Sequence, residues 1–342
     1  MRTSPKAYIH RKPAWSLTVD GQVIDDTVNP RLISIALTEK RGADADELEI
    51  SLTDHDGELQ IPRRGAEIAL SIGWLDLGEN RSPVLVDKGR FKVDEVSHSG
   101  APDVLSIRAR SADLTRAFRN RRSRSWKQTT LGEILGEVAG RNGLQLACSD
   151  DMASVEIPHL AQSRESDAAF LARLGRVHDA VATVKAGRLI FMACDSGVSP
   201  SGQQLGAATI TRADGDKHSW KQSERGAYSG VVAEWHDRAG AERKKAVAGS
   251  EENAKQLSRV YASEAAAVRA AKKEHQRLQR GKAEFSLNLA RGRPDLFPEK
   301  RLTVSGFKPE IDSADWLITE ARHSITASGF VTTVQMELGA AS

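Results

Sequence analysis

Residues 119–126 read RNRRSRSW: Arg119, Arg121, Arg122 and Arg124 crowd into eight positions closed by Trp126, which reads as exposed. Guanidinium groups fork onto carboxylates and phosphates, and an indole can stack on a base. Three readings follow: a polar connector between folded units, a contact with an acidic neighbour, or an electrostatic grip on nucleic acid. The stretch has no reading helix, no zinc ligands and no series of aromatics on a sheet. That order puts the connector first and nucleic acid last.

Other residues capable of chemistry resolve more simply. Asp54, Asp56 and Gly57 in TDHDGE open like a calcium loop, yet the later ligands of such a loop are missing and a strand-end turn is expected. His178 and Asp179 are neighbours at a helix end, where adjacent side chains do not face each other. No GxxxxGK[ST], HExxH, GxSxG or paired CxxC occurs, which removes the commonest nucleotide, metalloprotease, hydrolase and zinc sites. Cys148 and Cys194 lack metal-site spacing and read as reduced thiols. No catalytic residue, cofactor or metal is expected.

The elements that carry these residues belong to a chain of 342 residues, 39% hydrophobic and 28% charged. That length predicts several domains, and no apolar run approaches the ~20 residues needed to cross a bilayer. The start, MRTSPKAYIHRKPAW, lacks the apolar stretch of a secretory signal, so a cytoplasmic site of synthesis is expected. The net charge of +3 is small, but its distribution is uneven. Residues 1–100 hold 13 Lys/Arg against 17 Asp/Glu, while 101–130 hold 8 against 2 and 241–282 hold 11 against 5.

Alternating runs such as RLISIAL, ELEISLT, AEIALSIGW and VLSIRAR, divided by turn residues, predict antiparallel strands over 1–118. The period then changes. Thr130 and Glu133 form a capping box ahead of Leu131, Ile134, Leu135, Val138 and Ala139, and a second helix starts near Ser166 with Phe170, Leu171, Leu174 and Val177 on one side. A hairpin turned at Ala186-Gly187 completes a small α/β unit over 119–198. Strands return over 199–342, interrupted by a helix predicted at 251–280, whose narrow stripe of Leu257, Tyr261, Val268, Ala271, His275 and Leu278 suits packing against its own chain.

The most informative feature is a repeat. In residues 89–114 and 314–338, Phe91, Val93, Glu95 and His98 fall against Trp316, Ile318, Glu320 and His323 with identical spacing. Each segment reads as a strand, a turn with Gly, and a second strand. Repetition marks Phe91, Glu95, His98, Trp316, Glu320 and His323 as structural positions, since a catalytic histidine need not be duplicated. The fold expected is α+β: two antiparallel barrel-like domains related by duplication, flanking a small α/β domain. Two similar domains per chain, arranged as a trimer, would present six similar faces around one axis.

Blocks from LTDHDGELQIPRRGAEIALSIGW through VDKGRFKVDEVSHSG, RSRSWKQTTLGEIL, QSRESDAAFLARLG and YSGVVAEWHD to DWLITEARHSI stand in an order that resembles the phage late control gene D family over roughly 14–338. The resemblance implies a non-enzymatic tail hub of a contractile phage tail or phage-derived particle. It implies a homotrimer, with the hexameric tail tube on one face, the trimeric spike on the other and further baseplate proteins around it. The location implied is the virion baseplate, assembled in the host cytoplasm. Two rival readings remain: a nucleic-acid-binding late regulator, and a hub with wall-degrading activity.

Overall fold

A computed structural model describes residues 11–42, 45–77, 82–111, 116–185, 187–223, 228–237 and 240–339. Ala186 of the expected hairpin turn lies outside the described residues; the strands on either side, Ala180–Lys185 and Arg188–Ala193, pair antiparallel.

One sheet of thirteen strands dominates. Starting from Gly215–Gln222 its path runs through Ala283–Leu289, Gly329–Leu338 and Trp316–Thr326. It continues through Leu32–Lys40, Glu47–Thr53, Val104–Ser111, Pro83–Ser99, Glu67–Asp76 and Arg11–Val19 to the two-residue strand Gln22–Val23. Arg301–Ser305 branches from Trp316–Thr326 and carries Ala207–Thr211 beside it in parallel. The other pairings in this sheet are antiparallel, as the alternating runs predict. The hydrogen-bonded path does not close on itself among the described strands, so no closed barrel is found. The two ends of the chain meet at Leu32–Lys40 and Trp316–Thr326, paired from Ser34 with Thr326 to Lys40 with Glu320.

The apolar side chains gather into four clusters. The first holds Leu17, Ile35, Leu48, Phe91 and Ile107, and also takes Ile325 and Phe330 from the far end of the chain. A second is local to 118–193 and joins Trp126, Leu135, Phe170 and Phe191. The third surrounds Phe285, Trp316 and Val334. The fourth is thin, with Val231, Ala233, Ala246 and Ala248 of a three-stranded sheet meeting Ala267 and Ala271 of a helix. Small residues on both sides let that helix sit close against the strands.

Local signals place several elements as expected. Thr130 and Glu133 exchange both capping bonds, Glu133 N–H to Thr130 Oγ1 at 3.3 Å and Thr130 N–H to Glu133 Oε2 at 3.2 Å. The helix Leu131–Arg141 then buries its predicted face. Ser166 caps Asp167–His178, although Val177 of the predicted apolar side is 47% exposed.

Three expectations are corrected. The long helix spans Glu264–Arg280, not 251–280. Residues Ala254–Tyr261 form a strand parallel to Gly230–Asp237, so Leu257 and Tyr261 reach the thin cluster from the sheet rather than from the helix. Pairing with an available strand overrides the good helix formers there. RNRRSRSW is no connector either: Arg121–Thr130 is a strand paired with Glu156–Ser166. Trp126, read as exposed, is 8% exposed, because strand alternation turns it toward Phe170.

Candidate functional site

The strand Arg121–Thr130 sorts its arginines by parity. On the inward face Trp126 stacks on Phe170 with ring centres 5.3 Å apart and donates its indole N–H to Glu137 Oε2 at 2.8 Å. Arg124 meets the same carboxylate at 2.8 Å. Arg122 lies 3.8 Å from Asp167, which is fully buried and also bound by Arg141, Asn142 and Gln162. These hydrogen bonds hold the Asp167 carboxyl below its usual range although burial opposes them. Arg121 takes the outward parity with Ser123 and Ser125 and is exposed. Arg119 ends a short 3-10 turn just before the strand, exposed as well. The five sequence-selected residues are therefore not one patch.

The repeated positions lie on two bulged hairpins. Phe91 and Trp316 are buried, as are Val93 and Ile318. Each hairpin slips its register at the matching place, between Val93 and Glu95 in one and between Ile318 and Glu320 in the other. Glu95 lies 3.9 Å from Arg108 and Glu320 accepts from Gln335 at 3.3 Å, each on the neighbouring strand. The histidines diverge. His98 approaches Asp54 at 3.2 Å with its side chain 39% exposed, whereas His323 is buried at the seam between the two ends of the chain.

That seam holds charges that sequence reading missed. Lys88 Nζ donates to Glu39 Oε2 at 2.6 Å, and both side chains are buried. His323 Nε2 lies 3.2 Å from Glu39 Oε2 and 3.2 Å from Leu296 O. Its Nδ1 is 2.9 Å from Thr332 Oγ1, which accepts the Arg293 N–H. A neutral ring with its proton on Nε2 donates toward Glu39 and Leu296 and accepts from Thr332 at Nδ1, while Lys88 Nζ, 3.1 Å from the same Nε2, directs its hydrogen bond to Glu39. Burial pushes the Glu39 carboxyl up, but the His323 hydrogen bond and the Lys88 charge win and hold it at about 2. Burial, with Lys88 nearby, lowers the His323 value. Lys185 of the middle unit reaches Asp46 at 2.8 Å, tying that unit to the seam. The missed signal is parity: Glu39 continues the inward series Ile35, Leu37, so an acid sits where a core residue belongs.

A second charged junction was equally silent in the sequence. Arg41 pairs with Glu299 and with Glu337, and Arg280 pairs with Asp179 and with Glu337. Burial raises the Glu299 carboxyl even with Arg41 beside it. Lys273 donates to His178 O at 2.6 Å, placing a cation on the carboxyl end of a helix. His178 and Asp179 thus hold the long helix and the middle unit together. Asp54 sits in a turn, its Oδ1 accepting the Leu59 N–H at 3.0 Å. Among the described residues no group of three or more His, Cys, Asp or Glu could hold a metal ion. None of the described helices is long and apolar enough to cross a membrane.

The architecture is α+β, built on an open and mostly antiparallel sheet. Set beside known proteins, the chain matches the family described as phage tail baseplate hub (GPD) over residues 47–329. It is 40% identical over 367 aligned positions to the probable baseplate hub protein of Escherichia phage 186, covering 95% of this chain and 93% of that one. The probable baseplate hub protein of Escherichia phage P2 is 40% identical over 366 positions, with the same coverage. A crystal structure of a tail protein from Neisseria meningitidis MC58 shares the fold, with a TM-score of 0.66 at 13% identity over 95% of this chain and 96% of that one. The chain belongs to the phage tail baseplate hub family, as the ordered sequence blocks implied.

Proposed function

We propose that this hub protein acts without catalysis as a symmetry adaptor: a homotrimeric ring whose two β units per chain, 1–118 and 199–342, arose by duplication and flank the α/β unit 119–198. Each unit offers one of six similar faces to the hexameric tail tube, while the three-fold side receives the spike. Other baseplate proteins surround the ring, which assembles in the bacterial host before joining the virion tail.

The observation that carries this reading is the matched pair of hairpins, each slipping register two residues after a buried aromatic-containing start, at Val93 to Glu95 and at Ile318 to Glu320. A bulge is a specific local device, and its recurrence at aligned positions supports common descent of the two units. The inward turn of Trp126 weighs against the nucleic-acid reading, since it removes the only aromatic that the arginine run could offer a base.

The test is absolute mass by light scattering, for the chain alone and mixed with its cognate spike. Three chains of 37.2 kDa each are expected in at least one of the two samples. A monomer or dimer that ignores the spike would remove the symmetry argument.

A further inference from the structure

The ribbon of Arg121–Thr130 and Glu156–Ser166 carries an unexplained irregularity on its outward side. Its register slips between Gln162 and Glu165, and at the slip Arg164 adopts φ +51°. An arginine in the left-handed region is uncommon, and a bulge re-aims the side chain it carries. The conformation is anchored from beneath. Gln162, 1% exposed, donates to Glu165 O at 2.9 Å and to Asp167 Oδ1 at 2.9 Å, while Arg141 donates to Gln162 Oε1 at 3.0 Å. The Arg164 N–H is tied across the ribbon to Ser123 Oγ at 3.1 Å.

The result is a shallow groove of about 660 Å³ lined by Arg121 and Arg164, by the small residues Ala161, Ser163, Ser166 and Ala169, and by Glu165 and Arg173, which neutralise each other at 2.8 Å. Nearby arginines are already neutralised: Arg122, Arg124, Arg141 and Arg173 each have a carboxylate within 4 Å. Arg121 and Arg164 are exposed and have no acidic partner among the described residues. Two guanidiniums unpaired among the described residues, beside small residues and one internally neutralised pair of Glu165 and Arg173, suit carboxylates on an extended chain. A nucleic-acid backbone fits less well, because the groove is short and has no aromatic for a base to stack on.

We propose that this groove is a docking site for an acidic, extended segment of a partner protein, held by Arg121 and Arg164. It divides the arginine run by role: Arg122, Arg124 and Trp126 build the ribbon, and Arg121 joins Arg164, outside the run, to bind. The assignment does not depend on trimer formation.

The test uses the full chain and a fluorescein-labelled deca-glutamate, followed by anisotropy at low salt. An uncharged Ser-Gly decapeptide and a ten-nucleotide single-stranded DNA are run beside it. Saturable binding of deca-glutamate is expected, weakened at least tenfold in the double variant Arg121→Glu with Arg164→Glu. The control double variant Lys217→Glu with Lys221→Glu, exposed on the edge strand Gly215–Gln222, is expected to bind within twofold of the unsubstituted chain. Arg121→Gln with Arg164→Gln, checked for an unchanged melting temperature, repeats the test without adding acid. No binding of deca-glutamate overturns the proposal, and so does equal weakening in the lysine control. DNA binding that is tighter than the peptide's and lost with the same two arginines overturns it in favour of nucleic acid.

Discussion

At the scale of single residues, the arginine ribbon shows how parity decides what a side chain does. Trp126 fills the space against Phe170 and feeds its N–H to Glu137, so Trp126→Ala leaves a cavity and takes one hydrogen bond from Glu137, which keeps Arg124 at 2.8 Å. A loss of about 3–5 kcal/mol is expected, read as a lower urea midpoint, while Arg121→Glu on the opposite face should stay within about 0.5 kcal/mol. Two histidines give a second expectation, His323 buried and His178 partly so. Burial, with Lys273 adding to it, lowers His178 to about 4, and burial with Lys88 lowers His323. In the unfolded chain a histidine takes its proton near ~6.5. Below that pH the unfolded state binds more protons than the folded one, so stability is full above about pH 6.5 and falls as pH drops toward 4. Glu39, held at about 2, acts lower: its contribution is full above its unfolded value near ~4.3 and is lost as pH falls through 2. Urea midpoints between pH 7.5 and 4.5 check the first window, and His178→Gln should flatten the decline by about 2 kcal/mol.

Between elements, the seam of Leu32–Lys40 and Trp316–Thr326 depends on a buried ion pair rather than on apolar contact alone. Taking Lys88 or Glu39 out of water costs more than an exposed pair does, and each is tolerable only beside the other. Glu39→Leu alone should therefore cost about 3–5 kcal/mol by stranding Lys88, whereas Glu39→Leu with Lys88→Met should recover most of it. A double-mutant cycle by chemical denaturation measures the coupling, and additive losses would remove the pair from the seam. The same strands explain what could be read in advance. LISIAL announces its strand through apolar alternation, yet the acid that ends the inward series meets a lysine and a histidine far along the chain, which no local pattern connects. RSRSW alternates just as regularly, but in arginine and serine, so its period of two is hidden without apolar contrast. In AKQLSRVY good helix formers mask a strand that exists because Gly230–Asp237 lies beside it.

Across the whole molecule, contact distance along the chain divides the protein into parts that should form at different times. The middle cluster draws on residues 118–193 alone, with two capped helices and a hairpin inside that span. The large sheet instead needs residue 34 beside 326, and the first core needs Ile325 and Phe330 from the far end. Loop closure over such a separation costs entropy before any contact rewards it, and sheets of high contact order form slowly. In refolding from urea, pulsed hydrogen exchange should show early protection in Leu131–Arg141 and Asp167–His178. Later protection should appear together in Leu32–Lys40 and Trp316–Thr326, because neither strand has its seam partner until the ends meet. Early protection of Leu32–Lys40 ahead of Trp316–Thr326 would mean that the first unit closes its core without the C-terminal hairpin. The parts of the sheet on either side of the seam would then be independent folding bodies, and the seam a docking surface formed after both had folded.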